Sequence, residues 1–268
     1  VILHLGNSQL HVVNQYNNGD ELTSQILHKK FIKNKMYYLT LSQANANFQE
    51  HFALLKHNID RYPISVLVLP LVYDDLREDG VRYEILNLNK EINLIDHKKI
   101  PVESKKTLIQ KQIDSFEKNV ENFFFTKLSL WSKRPKLQSV VYGKLYKIRN
   151  TVFNIHATTI RKKIPARSKK NFEALINITK LAKLNNIKAF FYVAPIRQDI
   201  NLPDDLEDYE LFKKEAKIFA EKNDVHFFNY ERLIPKDNWG FKRSTVLGNS
   251  KFEIDFMHFR SKGHILLS

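Results

Sequence analysis

The stretch that decides the fold is the first one, VILHLGNSQLHVVNQ, residues 1–15. Four of its first five residues are apolar, which is typical of a strand buried on both faces of a parallel sheet. Gly6, Asn7 and Ser8 follow this strand. A Gly-x-Ser sequence at such a place is either a simple turn or a serine hydroxyl presented at the edge of a sheet, and the residues further along the chain decide between the two.

Strand-like and helix-like segments alternate outside residues 105–170. The predicted strands are Val1–Leu5, Met36–Leu41, Ser65–Val72, Lys188–Ala194 and Val225–Asn229. The predicted helices are Glu21–Lys33, Asn45–Arg61, Lys169–Leu184 and Asp205–Lys222. This alternation predicts an α/β fold, a parallel sheet with helices on both sides. Ligands of such sheets bind beyond the carboxyl ends of the strands, where Ser8, Asp74 and Arg197 are expected.

The positive charge is concentrated in one segment. The chain carries a net charge of +14, and Lys105–Lys170 alone holds 17 Lys or Arg against three acids. Apolar residues recur there at helical spacing in two runs, around a turn at Trp131–Pro135. The runs are Ile109, Ile113, Phe116, Val120, Phe123 and Val141, Leu145, Ile148, Val152, Ile155. We therefore predict a basic helical hairpin, residues 105–170, inserted into a core formed by residues 1–104 and 171–268.

The composition excludes several classes of protein. The chain has no cysteine, so it has no disulfides, thiol catalysis or cysteine-zinc sites. No apolar run reaches the length of a membrane span. Asp74 and Asp75 are adjacent acids with no suitably spaced histidine, so the start of a helix is favoured over a metal site, and no metal or cofactor is expected. The first residue is not Met, and we expect a longer protein.

A serine nucleophile needs a base and a group that orients the base. Near the other end of the chain, in EIDFMHFRSKGH, Asp255 precedes His258 by three residues, and no other histidine of the ten has an Asp at that spacing. We predict Ser8 as the nucleophile, His258 as the base and Asp255 as its orienting carboxylate. His11 could compete as base, but nothing adjacent to it would orient its ring. His4 is predicted to be a core histidine.

These two blocks resemble those of the SGNH (GDSL-type) hydrolase superfamily. The family has Gly-Asp-Ser after its first strand and Asp-x-x-His near its end; this chain has Gly6-Asn7-Ser8 and Asp255-Phe-Met-His258, followed by Gly263. Asn7 stands where the aspartate is usual. The resemblance implies a three-layer sandwich with a parallel flavodoxin-like sheet. It also implies acyl transfer through an acyl-serine intermediate without a cofactor.

The middle blocks of the family match less well. The family supplies oxyanion donors from a glycine after the second strand and an asparagine after the third, and neither is present in LSQANANFQE or PLVYDDLRED. Gln43, Asn45 and Asn47 are therefore candidate donors beside the Ser8 N–H. After the fourth strand, Arg197 and Gln198 are candidate substrate-binding residues. A salt bridge from Arg197 to Asp199 is the alternative.

The departures resemble the branch that acts on surface polymers, including the D-alanyl transfer protein of lipoteichoic acid synthesis and the alginate O-acetylation proteins. That resemblance implies an acyl donor and a cell-surface glycan as substrates, a membrane-bound acyltransferase partner, and an extracytoplasmic location with an anchor outside this sequence. The alternative function is a catalytically silent binding or scaffold protein of the same fold.

The basic segment has three possible roles: docking on an anionic membrane surface or membrane partner, covering the core, or binding nucleic acid. Phe123–Phe125 and Trp131 favour the first role, because aromatic residues beside Lys and Arg suit an interface plane. No nucleic-acid motif accompanies the charge, so nucleic acid is not expected as a partner.

Overall fold

The structure is a computed structural model that describes residues 1–88, 115, 119, 135–248 and 251–268. The chain divides into two compact units. The first unit comprises Val1–Glu103, Ile160–Gly240 and Asp255–Ser268, and the second comprises Ser104–Thr159 and Phe241–Ile254.

A five-stranded parallel sheet forms the centre of the first unit. Its strands are β1 (Ile2–Gly6), β2 (Tyr38–Ser42), β3 (Val66–Leu71), β4 (Lys188–Val193) and β5 (His226–Asn229). They lie in the order β2-β1-β3-β4-β5, which is the flavodoxin-like arrangement. In this register Gly6 pairs with Ser42 of β2. The predicted fold class is confirmed, and each predicted strand overlaps a strand of the sheet.

Helices of the first unit pack on both faces of this sheet, and the helix formed by Pro135–Val152 belongs to the second unit. In chain order the described helices are α1 (Thr23–Ile32), α2 (Phe48–Ile59), α3 (Tyr83–Leu88), α4 (Pro135–Val152), α5 (Pro165–Leu184), α6 (Leu206–Lys222) and α7 (Ser261–Leu266). Helix α5 begins four residues before its predicted start. Pro165 fits there, because its fixed φ suits the first turn and its missing N–H has no partner to lose.

Alternation of side chains along the strands sorts the residues between the two faces. Leu3, Leu5, Leu67, Leu69 and Phe191 are fully buried in one cluster with the apolar residues of α2, α5 and α6. On the opposite face, the Tyr38 ring of β2 stacks on Phe31 of α1 at a centroid distance of 5.3 Å. The sheet is therefore the middle of three layers.

The boundaries of the predicted insertion differ from those of the second unit. Residues 160–170 belong to the first unit, where Arg161 forms a β-bridge with Asp204. The second unit instead gains residues 241–254, and there Asn150 of α4 donates to the Thr245 carbonyl at 3.2 Å. Positive charge continues past Thr159 into α5, so the charge pattern could not show where the insertion ends.

Helix α4 contains most of the second predicted apolar run and ends at Val152, before Ile155. The first predicted helix of the hairpin and the Phe123–Trp131 region lie outside the described residues.

Two further strands, β6 (Trp239–Arg243) and β7 (Phe252–Phe259), form a separate two-stranded sheet. Among the helices of the described residues, none is both long and apolar enough to cross a membrane.

Candidate active site

Ser8 lies immediately beyond the carboxyl end of β1, in a 3-10 turn formed by Ser8–Leu10. Asn7 caps this turn, because its Oδ1 accepts a hydrogen bond from the Gln9 N–H at 3.1 Å. Gly6 makes the tight turn feasible, since a Cβ at that position would lie 2.3 Å from Leu10 Cδ1. The Gly-Asn-Ser sequence therefore ends the strand, opens the turn and holds the serine at the ligand-binding edge of the sheet.

The structure brings Ser8, His258 and Asp255 together in one hydrogen-bonded chain. His258 Nε2 lies 2.9 Å from Ser8 Oγ, and His258 Nδ1 lies 3.0 Å from Asp255 Oδ2. Both Asp255 and His258 lie in β7 rather than on a loop or a first helical turn. The Asp255 side chain bends toward the residues that follow it in the strand, and its Oδ1 accepts hydrogen bonds from the backbone N–H groups of Met257 and His258.

The surroundings of Asp255 keep it ionised. Its burial raises the pKa, but the hydrogen bond and charge of His258 and the two backbone N–H groups outweigh burial, so the pKa lies below its usual value. A carboxylate facing Nδ1 holds the proton on that nitrogen, which leaves Nε2 free to accept the Ser8 hydroxyl proton. The His258 side chain is 23% exposed and that of Asp255 only 4%, so the base meets solvent while its orienting group does not.

Asn14 is a further residue of this site that the sequence did not reveal. Its Nδ2 donates to Asp255 Oδ2 at 3.0 Å, and its backbone N–H donates to the Phe259 carbonyl at 2.9 Å. Gly240 leaves the space for this amide, because a Cβ there would lie 1.8 Å from Asn14 Oδ1. Nothing in the spacing of residues connects position 14 with position 255, so only the folded chain shows the contact.

The structure corrects the prediction for Asn47. Its Oδ1 accepts the Glu50 N–H at the start of α2, and its Nδ2 donates to the Gly80 carbonyl at 2.8 Å. The side chain is buried and committed to capping a helix, so it is not an oxyanion donor. Gln43 and Asn45 are exposed, and neither side chain forms a hydrogen bond with Ser8 or His258 within the described part of the chain.

For Arg197 the structure shows the salt bridge to Asp199 that was the alternative to substrate binding. The guanidinium is buried and pairs with both carboxylate oxygens of Asp199, at 2.8 and 3.0 Å. Its Nη1 donates to the Gly240 carbonyl at 2.9 Å, so Arg197 anchors the backbone beside Asn14. Gln198 is exposed and shows no side-chain contact among the described residues.

Two other polar groups near the strand ends have structural roles. His4 is a core histidine, as predicted, with Tyr38 and Tyr192 hydroxyls on its two ring nitrogens, and burial lowers its pKa to about 3. Asp74 pairs with Arg77 and Arg161 in the first turn of a short 3-10 helix. Within residues 1–88, 135–248 and 251–268, no three His, Asp or Glu side chains are grouped to hold a metal ion.

Comparisons with known proteins give only distant likenesses. No family model matches the chain, and no curated protein matches it. Among solved structures, the chain is similar to a candidate acylhydrolase from Bacteroides fragilis, with 12% identity, a TM-score of 0.45, and coverage of 99% of this chain and 81% of that one. It is also similar to a GDSL-like lipase from Bacteroides thetaiotaomicron, with 11% identity, a TM-score of 0.44, and coverage of 99% and 82%. Likenesses this distant do not transfer an activity.

Proposed function

We propose that this chain is a serine-dependent acyl hydrolase or acyltransferase of the SGNH type. The observation that carries the proposal is the continuous chain from Ser8 Oγ through His258 to Asp255, at 2.9 and 3.0 Å. The three groups meet at the carboxyl ends of the strands, where α/β sheets bind their ligands. A serine, a base and an orienting carboxylate in this order form the arrangement that activates a hydroxyl for attack on an ester.

The reaction follows from the geometry. Ser8 Oγ attacks the acyl carbonyl carbon while His258 Nε2 takes its proton, and Asp255 stabilises the imidazolium that forms. Collapse of the tetrahedral intermediate breaks the bond to the leaving oxygen, which receives the proton from His258. Water or a sugar hydroxyl then attacks the acyl-serine while His258 takes its proton. The bond from the acyl carbon to Ser8 Oγ breaks, and His258 returns a proton to Oγ, which regenerates the serine. Asp255 remains a carboxylate throughout, as its lowered pKa requires.

Covalent labelling tests this proposal. A fluorophosphonate should label the wild-type chain at Ser8, and Ser8→Ala and His258→Ala should abolish labelling. Ser65→Ala is a matched control, because Ser65 is an exposed serine just before β3, at the opposite end of the strands. Labelling that persists in Ser8→Ala, or a wild-type chain that is not labelled at all, would contradict the proposal.

The finer proposal is that the acyl acceptor or donor is a cell-surface glycan, with a membrane-bound acyltransferase as partner at an extracytoplasmic surface. The resemblance of the sequence to the surface-polymer branch supports it, as does the positive charge of Lys105–Lys170. Such charge favours an anionic surface and is screened by salt.

Two experiments test these finer points. Product analysis with an acetyl donor, with and without an acetylatable glycan, separates hydrolysis from transfer. Anionic vesicles should retain the protein at low salt and release it as salt rises, and retention should fall further in Phe124→Ala with Trp131→Ala. Equal retention on neutral vesicles would contradict a membrane role for the basic segment.

A further inference from the structure

A second histidine lies one turn from the candidate nucleophile. His11 follows the 3-10 turn that Ser8 opens, and its backbone N–H donates to the Ser8 carbonyl at 3.1 Å. Side chains three residues apart in a 3-10 turn lie above one another on the same side. Ser8 and His11 therefore share one side of the turn, and the exposed His11 ring flanks the serine at the surface.

The His11 ring is held in place by the neighbouring strand. Its Nδ1 lies 2.9 Å from Ser42 Oγ, and Ser42 is the last residue of β2, paired in register with Gly6. His258 hydrogen-bonds Ser8, so the serine has one histidine as its base and a second ring fixed on the β2 side of the turn. Partial burial and then the charge of His258 lower the pKa of His11, which favours the neutral ring at neutral pH.

The contact with Ser42 is compatible with both tautomers of the His11 ring, because the Ser42 hydroxyl can donate to Nδ1 or accept from it. No acceptor other than His11 Nδ1 is present for the Ser42 hydroxyl proton among the described contacts. If Ser42 donates to Nδ1, the neutral ring carries its own proton on Nε2, which is then a free N–H donor. Within the described contacts no carboxylate holds Nδ1, so His11 lacks the orienting group that a base for Ser8 would need.

We propose that His11 Nε2–H is an oxyanion donor that acts beside the Ser8 backbone N–H. The proposal rests on the proposed acyl-transfer function and deepens it. When Ser8 Oγ adds to the acyl carbonyl, the carbonyl oxygen takes up the electron pair of the broken π bond. His11 donates a hydrogen bond to that oxygen without transferring its proton, so it stabilises the tetrahedral intermediate and is unchanged when the intermediate collapses. This donor takes the place of the Asn47 side chain, which caps α2.

Three variants separate the donor from other roles of His11. His11→Phe removes the N–H and keeps a ring, His11→Gln restores an amide N–H at a similar distance, and Ser42→Ala releases the ring. Loss of one oxyanion donor lowers kcat by about 10²–10³-fold. We expect a loss of this order with KM nearly unchanged in His11→Phe, substantial recovery in His11→Gln, and an intermediate loss in Ser42→Ala. Thermal unfolding should not change, because the His11 side chain is exposed.

A boronic acid supplies a readout that does not depend on turnover. It adds to the serine as an anionic tetrahedral adduct, so its affinity should fall in the same order as kcat across the three variants. Wild-type kcat in His11→Phe, or a lowered kcat with unchanged boronate affinity, would overturn the donor role. If the wild-type chain is neither labelled at Ser8 nor able to turn over any ester, the acyl-transfer proposal itself fails, and that result is read before any His11 variant is made.

Discussion

Replacement of Asn14 by leucine should impair catalysis while leaving the fold almost equally stable. Leucine has the same number of side-chain heavy atoms and the same branching as asparagine, so it keeps the shape of the amide, with methyl groups that are larger than the amide oxygen and nitrogen. The variant loses the hydrogen bond from Nδ2 to the Asp255 carboxylate, and a hydrogen bond to a charged group contributes about 1.5–3 kcal/mol. It also removes the buried Asn14 Oδ1, which has no hydrogen-bond partner in the described part of the chain. A buried unpaired acceptor costs about 1–3 kcal/mol, so the two effects on the free energy of unfolding nearly cancel.

Catalysis has no such compensation. Asp255 Oδ2 loses its only described donor other than the His258 ring, so the carboxylate and the imidazole that it orients are less fixed. If 1.5–3 kcal/mol of this interaction is expressed in the transition state, kcat falls by about tenfold to 150-fold. Ester turnover or the rate of fluorophosphonate labelling measures the loss, and urea denaturation measures stability.

Asn18→Leu is the matched control, because Asn18 is an exposed asparagine of the same loop. A wild-type rate in Asn14→Leu would refute the positioning role of Asn14. The positioning role would also be refuted if the rate fell only in proportion to the fraction of the variant that is unfolded.

Three other predictions concern the neighbours of the site and its buried charges. Gly240→Ala should lower the labelling rate at Ser8, because the added Cβ would displace Asn14, and a wild-type rate would show that the amide can shift without consequence. Asp75→Asn should stabilise the fold at pH 7. Burial raises the pKa of Asp75 well above 3.8, so the wild-type chain loses stability as the pH rises above that value. The stability gained by the variant, measured by urea titration, should therefore vanish near pH 4. Asp79→Asn is its control and should destabilise, because Asp79 pairs with a lysine and has a lowered pKa. Burial lowers the pKa of His51 from 6.5 to about 3, so between these pH values only the unfolded chain binds a proton at His51. By pH 5 this proton uptake lowers the free energy of unfolding by about 2 kcal/mol. His51→Leu should therefore make stability fall less steeply as the solution is acidified.

The sequence predicted the sheet well because its strands carry their own signal. Each is a short run rich in Val, Leu, Ile, Phe or Tyr, and such a run predicts a strand without knowledge of its neighbours. The same holds for Ser8 and for the Asp255–His258 pair, which are local patterns at recognisable places. The three could be matched to one another because a serine nucleophile needs a base and an orienting carboxylate, and no other histidine has an aspartate three residues before it.

The contacts that the sequence did not reveal are decided by competition between partners. In sequence, Asn47 is as good a candidate donor as any other asparagine, but its side chain caps the helix that starts at the next residue. Arg197 similarly pairs with the carboxylate of Asp199, two residues away along the chain. Asn14 shows the reverse case, since its partner is 241 residues distant and no local pattern leads to it.

The separation between Ser8 and His258, 250 residues along the chain, has a consequence for biosynthesis. Ribosomes add about 5–20 residues per second, so roughly 12–50 seconds pass between the emergence of the serine and that of its base. During that interval the nascent chain completes the strands of its sheet, the last of which ends at Asn229, while the hydroxyl of Ser8 still lacks its base. A chain released early, before β7, should adopt much of the fold and yet be inert toward esters, so reactivity itself reports that synthesis has passed His258.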